Sequence, residues 1–460
     1  MQPTRYEEFI AAKTLADSPS GFEPGELNSN LFDWQAQIVR WACIRGRFGG
    51  YEDCGMGKSL QELESARLIA EHTGMPVLIF APLAVAEQTK REAEKFSIAA
   101  DVTVCRSAAD VRPGINIANY ERLHLFEPDQ FGGLILDEGS ILKSVDGKTR
   151  GTLLEHWTSI PFRQSWSATP SPNDHMELGN QSQFLGVMSR AEMLSTFFVH
   201  DGGETAKWRL KGHARDLFWQ WMSSWCVMLR KPSDIGYSDH GYDLPEIEYH
   251  DQIVPATARR GQLFATGAST LADRRAARRD SLQARCERAA EIAGSQITPC
   301  VIWCNLNIEG ETLARIIPGA VEVAGRHSVD EKEEKLAAFT RGEISTLITK
   351  PKIGGFGLNW QHCARTIVFP TDSFEQWYQM IRRFWRFGQT QTVQVHTVAS
   401  EEELPVVLNL RRKEREVTAM FQGIAAAMSE LSEAQIRSTR RSDKSYQPTT
   451  EMEIPAWLKK

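Results

Sequence analysis

The sequence predicts an α/β fold of two parallel-sheet lobes in tandem, with a helical interlobe insertion between them. Three observations predict it. Short β-rich runs alternate with helical stretches in two separate series, a glycine-rich loop followed by Lys-Ser opens the first series, and an Asp-Glu pair closes one of its apolar strands. Helical crossovers bury both faces of a parallel sheet, and ligands of such sheets bind at the carboxyl ends of the strands.

The chain can support this organisation. Its 460 residues are enough for two or three domains with full cores, and 42% hydrophobic and 24% charged residues are ordinary for a globular protein. The eight cysteines are scattered without zinc-type spacing, and Cys300 and Cys304 in CVIWC sit in an apolar run that reads as a buried strand. With no signal-peptide pattern, this suggests a reducing, cytoplasmic setting. The longest apolar runs are too short to span a bilayer, so no membrane partner is expected. A net charge of -6 gives no bulk attraction to nucleic acid, and any such contact must come from local patches.

The first series opens on YEDCGMGKSL, residues 51–60. Backbone N–H groups of a loop such as Gly55 to Gly57, and of the helix after it, point at phosphate oxygens; Lys58 would reach the β- and γ-phosphates of ATP and the Ser59 hydroxyl would bind Mg²⁺. Glu52 stands where the first glycine of G-x-x-x-x-G-K-[ST] belongs. Taken alone, GMGKS also suits a glycine turn before an ordinary helix, and SLQELESARLIAEHTG does read as a helix closing on Gly74. GLILDEGS, residues 133–140, adds the carboxylates that hydrolysis needs: Asp137 for Mg²⁺ and Glu138 to polarise the attacking water. Without the loop, the pair would read as a helix N-cap. The remaining strands of this lobe are VLIFAPL at 77, VTVCR at 102, INIANY at 115 and RQSWSAT at 163.

The second series resumes near residue 299 with CVIWCN, then AVEVAG at 320, TLITK at 346, RTIVFP at 365 and VQVHTVA at 393. It has no phosphate loop of its own. It carries instead KIGGFGLNW, residues 352–360, and QMIRRFWRFGQ, residues 379–389, in which Arg383 and Arg386 would share one face of a helix. By themselves, such arginines suit a solvated surface or carboxylate partners.

In their order, these segments resemble helicase superfamily two, and most closely the Swi/Snf-type double-stranded DNA translocases, from residue 31 to about residue 400. The resemblance implies RecA-like lobes over 31–175, holding ATP, and 296–400, with the interlobe insertion over 176–295, an N-terminal extension over 1–30 and a C-terminal helix and tail over 401–460. LFDWQAQIVRWA is similar to the Q motif, which implies that Gln35 reads the adenine edge with Trp34 near the base. VLIFAPLAVAEQTKREAEKF and INIANYERL resemble motifs Ia and Ib, and SWSATPSPN resembles the coupling motif, with Ser167 and Thr169 linking nucleotide state to the lobe interface. KIGGFGLNW is similar to motif V and QMIRRFWRFGQ to motif VI, which adds Gly357 and Gln389 as coupling residues and makes Arg383 and Arg386 arginine fingers for the γ-phosphate. Such fingers contribute about 10³ to 10⁵ in rate, so hydrolysis should depend on lobe closure.

Three departures from the family pattern stand out. Ser140 takes the place of the usual motif II histidine, which bears on coupling more than on hydrolysis. Glu52 and Asp53 precede the loop in reversed order, which reads as neutral, and the interlobe segment is short for the Swi/Snf branch. No chromatin-anchoring module is visible, so nucleosome remodelling is not expected.

The resemblance also places nucleic acid across both lobes, held mainly by its phosphates. The expected contacts are the loop after Leu83, the 119–122 region with Arg122, the basic Leu-Arg element at Leu229 and Arg230, Lys352, Gly355, and the residues after Cys304. ADRRAARRDSLQARCERAAEIAG has six arginines at helical spacing and reads equally as a DNA-facing helix or a surface helix bridging acids. Trp219, Trp221 and Trp225 read as core, and Trp385 as a packing anchor.

The leading function is a DNA-stimulated ATPase moving along double-stranded DNA. The alternatives are a strand-separating helicase on single-stranded DNA or RNA, and a nucleotide-gated DNA clamp with poor turnover, which only Ser140 supports. No nuclease or protease constellation is visible, so a nuclease or a replication or repair protein would be a separate partner chain. The lack of appended modules suggests a bacterial or bacteriophage setting.

Overall fold

The computed structural model describes residues 19–82, 85–200, 208–255, 271–354 and 359–429. The first sheet is built from β1 (Arg47–Glu52), β2 (Val77–Ala81), β3 (Val102–Val104), β4 (Ile115–Asn119), β5 (Gly133–Asp137) and β6 (Phe162–Trp166). A small antiparallel pair, β7 (Phe198–His200) and β8 (Trp208–Leu210), precedes β9 (Cys226–Leu229), which returns to the first sheet. The second sheet comprises β10 (Ile247–Val254), β11 (Cys300–Trp303), β12 (Val321–Glu322), β13 (Thr346–Thr349), β14 (Arg365–Val368) and β15 (Val393–Ser400).

Both large sheets are parallel throughout, in the orders β3-β4-β2-β5-β6-β1-β9 and β10-β15-β14-β11-β13-β12. These are the two tandem α/β lobes that the sequence predicts. The central strands include apolar runs buried end to end, such as VLIFA in β2 and CVIW in β11. Helices covering both faces leave no solvated side, so alternation with polar residues is absent. All eight cysteines are free, and Cys300 and Cys304 are buried. Among the described residues no helix is long and apolar enough to cross a membrane.

The register explains how the site assembles. Asp137 at the end of β5 and Gly50 of β1 both pair with Trp166, the last residue of β6. The turn after β5, the SAT segment after β6 and the loop after β1 therefore leave neighbouring strands at the same edge. β1 itself, RFGGYE, does not look like a strand because of its glycines. They are needed: a Cβ on Gly50 would lie 2.0 Å from Cε3 of the buried Trp166, so only glycine lets the indole pack flat on this strand.

The interlobe segment is largely helical, with helices at Leu178–Leu185, Arg190–Phe197, Arg215–Ser223, Leu271–Asp280 and Leu282–Gly294. It also gives each sheet an edge strand, β9 to the first and β10 to the second, so it is woven into both lobes. The Leu404–Ser429 helix then packs against the Arg215–Ser223 helix and β9 on one side and against β15 and the Phe374–Ile381 helix on the other. Its Glu414 accepts a hydrogen bond from Tyr249 of β10, and its Thr418 accepts one from Arg230, so a single helix straps the lobes together.

Candidate active site between the two lobes

The loop expected to hold phosphate follows β1 and runs into the Lys58–Thr73 helix. Gly55 and Gly57 both have positive φ, 88° and 81°. Neither has room for a side chain: a Cβ on Gly57 would meet Nε2 of Gln35 at 2.4 Å, and one on Gly55 would lie 3.0 Å from Cβ of Arg386. Among the described residues no acceptor is present for the backbone N–H groups of Gly55, Gly57, Lys58 and Ser59. Donors left open at a helix N-terminus, with a lysine beside them, form an anion cradle. Lys58 Nζ donates to the carbonyls of Glu52 and Asp53 at 2.8 and 3.0 Å, which holds its charge inside the loop.

Gln35 braces this loop. Its Nε2 donates to the Met56 carbonyl at 2.8 Å and its Oε1 accepts from the Phe32 amide at 3.0 Å. The residue expected to read adenine is thus also a strut under the phosphate cradle. Trp34 is 4% exposed and stands edge-on to Tyr242, whose ring lies 4.8 Å from that of Phe387. The rings with open surface beside the loop are Phe32 and Phe387, 52% and 37% exposed.

Asp137 and Glu138 sit at the end of β5, within the electrostatic reach of Lys58. Burial, then the neighbouring Glu138, push the Asp137 carboxyl well above its usual range, while Lys58 opposes them. Glu138 is also raised, by burial first. Its backbone adopts the left-handed region, φ 53° and ψ 54°, one of two non-glycine residues to do so among those described. That conformation costs on the order of 1 kcal/mol or more and persists only where the surroundings impose it. Here Glu138 O accepts from the amide of Ile141, and the Ser167 hydroxyl donates to Glu138 Oε2 at 3.2 Å. Ser167, expected to couple the site to the lobe interface, therefore touches the carboxylate expected to position water. Thr169 is buried beside it, with its amide donating to Ser167 Oγ at 3.1 Å.

Two further acids crowd the same centre. Glu52, fully buried, receives Gln61 Nε2 at 2.8 Å and is pushed up to about 7 by burial, against the pull of Lys58. Glu62, 2% exposed, is raised well above its usual value by burial and by Asp137. Among the described residues no group of three or more His, Cys, Asp or Glu is arranged to hold a metal ion. The donor set instead fits Mg²⁺ arriving on phosphates: hard oxygen ligands, one hydroxyl from Ser59 and one carboxylate from Asp137.

The second lobe faces this centre with the Phe374–Ile381 helix and the turn after it. The regular helix ends at Ile381, so Arg383 and Arg386 do not share a helix face as the sequence suggested; they lie on a tight turn whose N–H groups still bond back to Met380 and Ile381. That turn presses on the Gly55–Gly57 loop, with Arg386 against Gly55. Arg383 is buried, which lowers its guanidinium from its usual value, while the nearby Cys54 and Glu138 oppose that shift. Burial and the like charge of Arg383 bring the Arg386 guanidinium down to about 10, still protonated at neutral pH. Gln389 fixes the far end of the turn, donating to the carbonyls of Gln361, Cys363 and Phe384 and accepting from Thr390 and Gln391 amides.

No protein-family model matches the chain, and no curated protein matches it. Among solved structures it is similar to the SWI2/SNF2 ATPase core of Sulfolobus solfataricus in complex with dsDNA, at 18% identity over 90% of this chain and 98% of that one, with a TM-score of 0.41. A likeness of that degree assigns no residue a role. The fold stands on the chain's own strand order and register.

Sequence reasoning missed the residues that join the lobes. Asp53 Oδ1 accepts from Arg382 Nε at 3.0 Å, from the Tyr378 hydroxyl at 2.7 Å and from the Cys54 amide at 2.7 Å. Burial would raise its carboxyl, but Arg382, Arg230 and these hydrogen bonds outweigh it and hold it below the usual range. Arg230, expected on a nucleic-acid track, has Nε 3.7 Å from Asp53 Oδ2 and hydrogen-bonds Thr418. Its charge is committed to the lobe junction, because the buried Asp53 draws the nearest cations. Glu375 accepts hydrogen bonds from Ser140 and Lys143 of the first lobe. Glu375, Tyr378 and Arg382 are spaced i, i+3, i+7, a helix stripe that was readable in the sequence.

The remaining candidates lie at the surface or beyond the described residues. Lys352 is exposed, and Arg122, half-buried, donates to the Arg106 carbonyl. Gly355, Gly357 and the loop at Leu83 lie outside the described residues. In the arginine-rich helices, Arg274 pairs with Asp372, Arg278 with Glu403 and Asp372, Arg285 with Glu309, and Arg288 with Glu291. Four of the six arginines thus bridge acids, which is the structural of the two readings; Arg275 and Arg279 are exposed. Trp219, Trp221 and Trp225 are core residues, 5%, 4% and 0% exposed.

Proposed function

We propose that the chain is an ATPase that couples ATP hydrolysis to movement along double-stranded DNA. The observation that carries the ATPase half is the contact of the Gly55–Gly57 loop with the turn bearing Arg383 and Arg386, beside a Glu138 that is hydrogen-bonded to Ser167. A phosphate cradle, paired acids and two arginines from another lobe form the set that phosphoryl transfer requires.

The phosphates would lie on the amides of Gly55, Gly57, Lys58 and Ser59, with Lys58 turning its ammonium from the loop carbonyls to the β- and γ-oxygens. The exposed faces of Phe32 and Phe387 supply apolar surface for the base, with Trp34 packed behind Tyr242. Bound Mg²⁺ would neutralise charge on the phosphates, held by Ser59 and Asp137. Glu138 would orient the attacking water, and Ser167 would report its position to the lobe interface. Arg383 and Arg386 would meet the charge that develops on the γ-phosphate, so turnover requires both lobes. The DNA half of the proposal is supported by the order of motifs between residues 31 and 400. Steady-state ATPase rates without nucleic acid and with blunt duplex, single-stranded DNA or RNA test both halves: stimulation by duplex supports translocation, while preference for a single strand or RNA would replace it with strand separation.

A further inference from the structure

Ser140 stands directly after the Asp137–Glu138–Gly139 turn, is 3% exposed, and its hydroxyl lies between two acceptors. One is the Glu138 carbonyl, at 3.4 Å; the other is the Glu375 carboxylate of the second lobe. The second Glu375 oxygen accepts from Lys143 Nζ, three residues further along the first lobe. Only 12% of the Glu375 side chain is exposed, so this is a largely desolvated charge with two donors, both from the other lobe. The side chains it grips follow directly on the left-handed turn at Glu138, whose carbonyl the Ser140 hydroxyl also approaches.

Glu375 occupies the first turn of the Phe374–Ile381 helix, and Tyr378 and Arg382 at the far end of that helix grip Asp53 of the phosphate loop. One rigid helix therefore touches the acidic turn at its start and the phosphate loop at its end, then delivers Arg383 and Arg386. A displacement of the helix cannot reach the arginines without passing through both grips.

We propose that Glu375 is a positioning residue of this site, which through Ser140 and Lys143 registers the arginine-bearing helix on the turn that aims Glu138. This rests on the ATPase reading above. Glu375 touches no reacting atom. It makes the orientation of Glu138 and the delivery of the arginines one event, a task for which the serine at position 140 is suited because its hydroxyl can donate to a carboxylate across the interface.

The test is ATP hydrolysis by the full chain with duplex DNA, for wild type, Glu375→Gln, Glu375→Ala, Ser140→Ala and the charge exchange of Lys143→Glu with Glu375→Lys. Misplacing reacting groups by about 1 Å costs up to about 10²-fold, so Glu375→Ala should lower kcat between tenfold and a hundredfold while KM for ATP stays within about twofold. Ser140→Ala should fall in the same direction, Glu375→Gln, which keeps one acceptor oxygen for Ser140 but loses the second oxygen and the charge that Lys143 meets, should lose less than Glu375→Ala, and the exchange should recover part of the loss. Fluorescent probes at exposed positions 148 and 333 give a readout independent of hydrolysis: Glu375→Ala should broaden the interlobe distance, and the exchange should narrow it again. A folded Glu375→Ala with wild-type kcat, or one that changes KM alone, overturns the role of Glu375 while leaving the ATPase intact. A wild type without turnover overturns the ATPase reading instead, and an unchanged probe distance in Glu375→Ala then overturns the interlobe contact as well.

Discussion

Arg382 of the second lobe donates a hydrogen bond to Asp53, at the start of the glycine loop after β1, at 3.0 Å, with both side chains nearly sealed from solvent. A buried ion pair of this kind is costly to break from one side, because the remaining charge stays buried without its counter-ion. The loop that would hold phosphate is thereby fastened to the element that carries the arginines.

Removing one partner should unfasten the lobes. Asp53→Ala leaves Arg382 without its carboxylate and should destabilise the chain by about 3 to 5 kcal/mol, less whatever relaxation recovers. Urea unfolding followed by fluorescence of the buried tryptophans checks this; a midpoint equal to wild type would mean that the pair contributes nothing to the junction.

Arg386→Ala should lose ATP turnover by about 10³-fold or more while keeping most affinity for ATP, because the charge it meets develops only during transfer. Single-turnover hydrolysis alongside equilibrium binding separates the two. A variant that binds DNA poorly but hydrolyses ATP normally would contradict the finger role.

Glu138→Gln should bind ATP and hydrolyse it very slowly. Ser167→Ala, which removes the 3.2 Å hydrogen bond to Glu138, should reduce turnover less and weaken its dependence on DNA. Near-normal turnover in Glu138→Gln would remove it as the residue that positions water.

Glu52 gives a pH signature. Its carboxyl titrates at about 7 in the folded chain against a usual value of 4.5, because burial disfavours the charged form. Between those values the folded chain retains a proton that the unfolded chain has released, so stability falls as pH rises through this window and stays lower above it. Glu52→Gln removes the dependence and should gain on wild type by on the order of 2 to 3 kcal/mol between pH 5 and pH 8. An equal difference in urea midpoint at both pH values would contradict the buried ionisation.

The parts of this structure legible in the sequence are those where local pattern and chemistry agree. β2 and β11 are short apolar runs, β5 is one up to its terminal Asp137, and Lys58 and Glu138 follow strands at short offsets. β1 was hidden because its glycines look like a turn until Trp166 packs on them. β10, IEYHDQIV, was hidden because an edge strand carries polar residues on its open side. Asp53 looked neutral because its significance lies in Arg382 and Tyr378, more than 300 residues away along the chain. The nearness of Arg230 to Asp53 was hidden for the same reason: a cation's neighbours depend on which buried acid the fold brings to it.

The central claim is that one loop and two lobes make a single ATP-hydrolysing site that duplex DNA stimulates. Steady-state ATPase rates of wild type and Lys58→Ala, with and without blunt duplex DNA, test it most directly. Under the proposed function, turnover is raised by the duplex and abolished in Lys58→Ala. DNA-stimulated hydrolysis that survives in a clean Lys58→Ala preparation would contradict it.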